Sequence, residues 1–155
     1  MICSVALAKG LPFELPKGWS AQLQAKTATA AAPPDDVTYE LQAQELRGSL
    51  MIYAGKISET ELDSVAAEKH AAKIKNRVAW GMKAAAGPPR ESLKIAGRRA
   101  VRWRDRVGGA LGDQEQLMTC AIHAARLACV ITIGHSDARD EAESAAATIL
   151  SSLRR

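Results

Sequence analysis

Five arginines fall within nine positions: Arg98, Arg99, Arg102, Arg104 and Arg106. Side chains alternate along an extended chain, so Arg98, Arg102, Arg104 and Arg106 share one face. Arg99, Val101, Trp103 and Asp105 share the other. Such a row can hold an anionic partner, either an acidic protein surface or nucleic-acid phosphates. It serves equally as a solvated sheet face with carboxylate partners among Glu40, Glu45 and Glu115. Aromatic residues are 4% of the chain, too few to offer stacking platforms, so nucleic acid is disfavoured.

The other reactive residue types show no catalytic pattern. The three histidines, His70, His123 and His135, lie far apart. None stands beside a nucleophile or within a HExxH helix. The acids show no pairing suited to acid–base work. Gly108-Gly109-Ala110-Leu111-Gly112 lacks the Lys-Ser/Thr that follows in a phosphate-binding loop. The three cysteines, Cys3, Cys120 and Cys129, form no CxxC and no Cys/His set with zinc spacing. The expectation is therefore no catalytic residues, no cofactor and no metal.

These residues must be positioned by a chain of 155 residues with 47% hydrophobic and 25% charged content. That is globular and the size of one domain, long enough to bury a core without staples. We divide it into an N-terminal stretch 1–10, a loose end or leader remnant, and a single domain 11–155. With so few aromatics, aliphatic residues and alanine must fill the core. Net charge is +4 and the sequence pI about 9.1, mildly basic. No stretch approaches the roughly 18 consecutive apolar residues of a membrane span. Ala6-Leu7-Ala8 resembles the small-residue end of a secretory leader, but the basic region and apolar run are missing. A cytoplasmic location is expected, and a periplasmic one if the true start lies upstream of Met1.

Pattern along the chain predicts strands, a helix, strands and a helix. Trp19 to Lys26 can be a strand, and Thr27 to Pro34 reads as a loop ending in Pro33-Pro34-Asp35-Asp36. Val37, Tyr39 and Leu41 alternate with Thr38, Glu40 and Gln42 as in a half-buried strand. Arg47 to Ala54 is a more apolar, interior strand. Ser58 with Glu61 makes a capping box for a helix whose apolar stripe is Ala67, Ala71, Ile74 and Val78. Gly87-Pro88-Pro89 is a break. Leu93 to Arg104 is a strand pair, or one strand bent at Gly97, and Gly108 to Asp113 is a turn. Ser136 or Asp137 caps a last helix with the stripe Ala142, Ala146, Ile149, Leu150 and Leu153. The class is α+β, an antiparallel sheet with two main helices packed on it.

Gln116 to Ile133 carries the sharpest local signal. A reversal at Ala124-Ala125 sets His123 against Arg126, Ile122 against Leu127, Cys120 against Cys129 and Met118 against Ile131. One face is then apolar throughout, and a slip of one residue would destroy the match. Cys120 and Cys129 are either disulfide-bonded, as in an exported protein, or two reduced small hydrophobes in the core.

The segments FELPKGW, LRGSLMIYAGKIS, LKIAGRRAVRWR, GDQEQLMTCAI, ACVITIGHS and AATILSSL, from about Leu11 to Leu153, resemble the Mog/PsbP-like superfamily, nearest its bacterial DcrB-like branch. The resemblance is one of layout, since none of these segments is a chemical signature. It implies a non-catalytic fold used by exported envelope proteins and lipoproteins, photosystem accessory subunits and chaperones of type VI secretion effectors. For this chain it implies a chaperone or adaptor with a protein partner, such as a hydrophobic effector segment, and a homodimer. Gln114 and Gln116 are similar to polar positions that such chaperones place on a sheet strand. The alternatives are an exported envelope accessory protein and an anion binder using Arg98, Arg102, Arg104 and Arg106.

Overall fold

The computed structural model describes residues 10–24, 36–79, 91–107 and 114–154, with backbone alone for 74–79 and 107. Residues 1–9 with Cys3, the Ala/Thr-rich loop, the Gly87-Pro88-Pro89 break and the Gly108–Asp113 turn lie outside these residues. The described strands are β1 (Ser20–Leu23), β2 (Val37–Gln42), β3 (Leu46–Ile52), β4 (Glu91–Ile95), β5 (Arg98–Val107), β6 (Gln114–His123) and β7 (Arg126–His135). They form one seven-stranded sheet in the order β1-β2-β3-β7-β6-β5-β4. Every neighbouring pair is antiparallel. Helix α1 (Leu62–Ala79) follows a 3-10 turn at Glu59–Glu61, and α2 (Arg139–Ser152) follows another at Ser136–Ala138. This is the α+β architecture expected from the pattern.

The β6–β7 hairpin has the expected register, with His123 opposite Arg126, Cys120 opposite Cys129 and Met118 opposite Ile131. Ala124 and Ala125 form the two-residue connection, with φ of 51° and 61°. Both are left-handed, the conformation whose twist matches that of the flanking strands. Each alanine there costs about 1 kcal/mol that glycine would not. The ten-pair ladder, with its two buried faces, outweighs that local preference. Leu93 to Arg104 resolves as a strand pair, β4 and β5, turning at Ala96 and Gly97 with φ of 51° and 79°.

The two helices cover opposite faces of the sheet. On one face α2 lays Ala142, Ala145, Ala146, Ile149 and Leu150 over Leu117, Ala128 and Val130, and the stripe expected for this helix is buried. Phe13 and Trp19 from the N-terminal segment extend that core over Leu41 and Leu46. The segment is tied to the end of α2 by Arg154 N–H donating to Pro12 O at 2.6 Å and Glu14 N–H donating to Ser152 Oγ at 2.7 Å. On the other face α1 packs Leu62 and Ala66 against Val101, Trp103, Met118, Cys120 and Leu127.

The buried stripe of α1 differs from the expected one. Leu62, Ala66 and His70 are buried, whereas Ala67 and Ala71 are exposed. Alanines lie on several sides of this helix, so its apolar periodicity cannot tell neighbouring stripes apart. Packing selects the stripe headed by Leu62 because leucine buries far more apolar area than alanine. The side chains of Ile74 and Val78 lie outside the described ones. Two caps are also resolved. Glu61 Oε1 accepts from the Ser58 N–H at 3.1 Å. His135 takes the cap position expected of Ser136 or Asp137, its Nδ1 accepting from the Asp137 N–H at 3.2 Å.

Where β3 meets β7, Gly48 lies so close that a Cβ there would sit 1.8 Å from the Ile131 carbonyl oxygen. That neighbour is backbone and cannot move aside. Gly48→Ala is expected to destabilise the protein by about 2 kcal/mol or more in urea denaturation, in the range of overpacked cores. Unchanged stability would mean that the strands separate more readily than this packing allows.

Candidate functional site

The arginine row of β5 lies on the face of α2, and its middle, Arg102 and Arg104, meets that helix, while its two ends stay in solvent. Arg102 is 6% exposed, and its Nε donates to Thr119 Oγ1 at 3.0 Å. Its Nη1 lies 3.7 Å from Glu143 Oε1 of α2. Burial pulls its pKa down, against the field of Glu143. Arg104 binds Glu91 of β4, Nε to Oε1 at 2.7 Å, and also contacts Glu143. Its Nη1 stands 3.7 Å from Glu115 Oε1. Arg139 of α2 completes the cluster by donating from Nε to Glu115 Oε1 at 2.8 Å. Three arginines and three glutamates thus join β4, β5 and β6 to α2.

Of the expected partner-binding residues, Arg98 and Arg106 are exposed, Arg104 is half-buried and Arg102 is buried. Glu115 is the one anticipated carboxylate that engages the row. Glu40 instead accepts from Gln24 at 2.6 Å. Glu91 and Glu143 went unnoticed in the sequence. Glu143 could have been suspected, because it stands one residue after Ala142 on the edge of the apolar stripe of α2.

The opposite face holds a second polar cluster. His70 Nε2 is 2.8 Å from Asp105 Oδ2, with both side chains buried. The His70 ring stacks on Trp103 at 4.7 Å between centroids. Asp105 lies opposite Gln116 in the β5–β6 register. Gln116 is fully buried, and neither Oε1 nor Nε2 has a hydrogen-bond partner. It is therefore not a polar position on an open sheet face, while Gln114 is half-buried at the end of β6. His70 is held between a carboxylate and an indole, as a satisfied core histidine is. Sequence alternation placed Asp105 with Trp103 correctly. Only the docking of α1 brings His70 to both.

On that same face, Cys120 and Cys129 are joined in a disulfide with Cα atoms 4.1 Å apart. Both are fully buried under α1. Tyr53 lies beside them in the same core, and burial with the nearby Asp36 charge pushes its pKa up to about 12.

Several hollows are open among the described residues. A hollow of about 500 Å³ lies over β1, β2 and β3, lined by polar side chains including Gln22, Glu40, Gln42 and Arg47. A groove of about 720 Å³ runs between β4 and α2, with Arg102 and Glu143 in its wall. No group of three or more metal-ligating side chains is found among the described residues. No described helix is long and apolar enough to cross a membrane.

This sheet, with one helix on each face and an N-terminal segment packed beside α2, is the PsbP-like fold. Among the solved structures it is similar to is cyanobacterial PsbP (CyanoP) from Synechocystis sp. PCC 6803. The TM-score is 0.57 at 17% identity, covering 90% of this chain and 83% of that one. At that identity the likeness concerns the fold. No protein-family model and no curated protein matches the chain.

The Arg104 hydrogen bond, ahead of any other cause, holds the Glu91 carboxyl below its usual value. A carboxylate depressed in the folded state adds stability above its unfolded pKa of about 4.3 and loses it as pH falls through the lower folded value. Arg104→Gln is expected to return the Glu91 titration, followed by carboxyl NMR, to the ordinary range. It should also move the acid-unfolding limb to higher pH. An unshifted Glu91 titration would show that the pair is not formed in solution.

Proposed function

We propose that the protein is a non-catalytic protein-binding module of chaperone or adaptor type, on the DcrB-like pattern within the PsbP-like fold. One observation carries this reading: the strong side-chain chemistry is turned inward. Arg102 and Arg104 are engaged by carboxylates of neighbouring elements, and His70 and Asp105 engage each other under α1. What faces solvent is shaped surface, the hollow on β1–β3 and the groove beside β4. Arg98 and Arg106 alone are a thin basis for a nucleic-acid surface, since Arg102 and Arg104 are drawn into the α2 interface.

The partner class is a bacterial type VI secretion effector bound in the cytoplasm, as the sequence resemblance suggests. Leu23, 56% exposed on edge strand β1, supplies an apolar contact. Co-expression with the products of neighbouring genes tests the proposal. A stable complex on size-exclusion chromatography is the expected result, and free monomer with every neighbour would overturn it.

A second reading is favoured by the Cys120–Cys129 bond: an exported envelope accessory protein of the same fold. Disulfides persist in oxidising compartments and are rare in the cytosol. Protein recovered from its native cells under thiol-blocking conditions is expected to gain about two daltons on reduction for the exported form. A mass unchanged by reduction would remove that reading.

A further inference from the structure

We propose that the groove between β4 and α2 binds an extended peptide segment carrying a carboxylate, which Arg102 holds. The proposal rests on the reading of the protein as a protein-binding module and names the surface and the partner's chemistry.

Arg102 is the reason. Its side chain is 7% exposed, and its one hydrogen bond is from Nε to Thr119. The nearest carboxylate oxygen, Glu143 Oε1, stands 3.7 Å from Nη1, beyond hydrogen-bond reach. Glu143 is instead drawn to Arg104. The two terminal nitrogens thus make no hydrogen bond and have only the long ion pair to Glu143, in the wall of an open groove. A closer, hydrogen-bonded carboxylate would satisfy that charge better than Glu143 does. The planar fork of arginine matches a carboxylate with two parallel hydrogen bonds.

The surroundings select among anions. Asp140 and Glu143 line the groove together with Lys94 and Arg102, so its charges balance and a single carboxylate is accommodated more readily than a doubly charged phosphate. The volume, about 720 Å³, exceeds what a small carboxylate fills. Leu93 and Ile95 on one wall and Ala147 on the other supply apolar contact, while Ser144 and Thr148 supply hydroxyls. β4 is the last strand of the sheet among the described residues. An edge strand presents backbone donors and acceptors along its outer rim. A peptide added there as a further strand would point alternate side chains into the groove. One of those side chains reaches Arg102, which lies opposite Glu91 in the register.

The test is a titration of the full chain, labelled with nitrogen-15, with three probes. These are acetate, the capped peptide Val-Thr-Glu-Thr-Val, and the same peptide with glutamine at its centre. The glutamate peptide should move the amides of Glu91–Ile95 and of Ser144 and Thr148, and bind about tenfold more tightly than the glutamine peptide. Arg102→Gln should abolish that preference. Ser144 is exposed, so Ser144→Trp should leave the amide spectrum of the fold intact and block both peptides. Equal binding of the two peptides would overturn the proposal. So would a glutamate peptide that moves only the amides acetate also moves and leaves those of β4 still, which assigns the site to small carboxylates. A partner from co-expression that still binds Ser144→Trp leaves the module reading standing and removes the groove.

Discussion

The pairing of β6 with β7 sets the position of every other element. Its register runs from Gln114 opposite His135 to His123 opposite Arg126. β7 carries β3 on its free side and β6 carries β5, so an error in this hairpin would propagate across the sheet. Both faces of the hairpin are buried, Leu117, Ala128 and Val130 under α2 and Met118, Cys120 and Cys129 under α1. A slip of one residue would exchange the two sets, part Cys120 from Cys129 and carry Gln116 to the face of α2. The strained Ala124-Ala125 turn shows which constraint prevails. Ten matched pairs outweigh two unfavourable backbone conformations.

Around this hairpin the charged side chains act as ties between layers. The Arg102, Arg104 and Arg139 cluster binds α2 to the edge half of the sheet through Glu91, Glu115 and Glu143. The pair of His70 and Asp105 performs the matching task for α1. Neither helix is rich in large apolar residues. The α2 stripe is mainly alanine, which allows close approach but gains little per residue. Buried ion pairs are seldom strongly stabilising by themselves. What they supply is orientation, since a helix carried by alanines has few other features to fix its rotation. Arg102 departs from this pattern because only one of its nitrogens is hydrogen-bonded.

Much of the architecture was legible because it follows from period-two alternation. The β6–β7 register and the division of β5 into an arginine face and a Trp103–Asp105 face come from that rule, and the interior position of β3 from its apolar content. The stripe of α2 was legible too, since Ile149, Leu150 and Leu153 mark it. The stripe of α1 was not, because its alanines carry no directional information and the buried histidine looks polar. The site was less legible than the fold. Glu91 meets Arg104 across 13 residues, Glu143 meets it across 39, and His70 meets Asp105 across 35. No local pattern relates residues at such separations.

By itself the sequence determined the α+β class, the strand faces, the hairpin register and the absence of any familiar catalytic motif. These are properties of short-range geometry, in which the pleat and the helical turn convert residue type directly into position. The tertiary structure alone decided that α1 and α2 take opposite faces, that Arg102 and Arg104 meet α2, and that Arg102 ends in the wall of a groove. Those outcomes depend on where two alanine-rich helices dock. That docking is governed by charge pairing and close packing between segments distant in the chain, which no local spacing encodes.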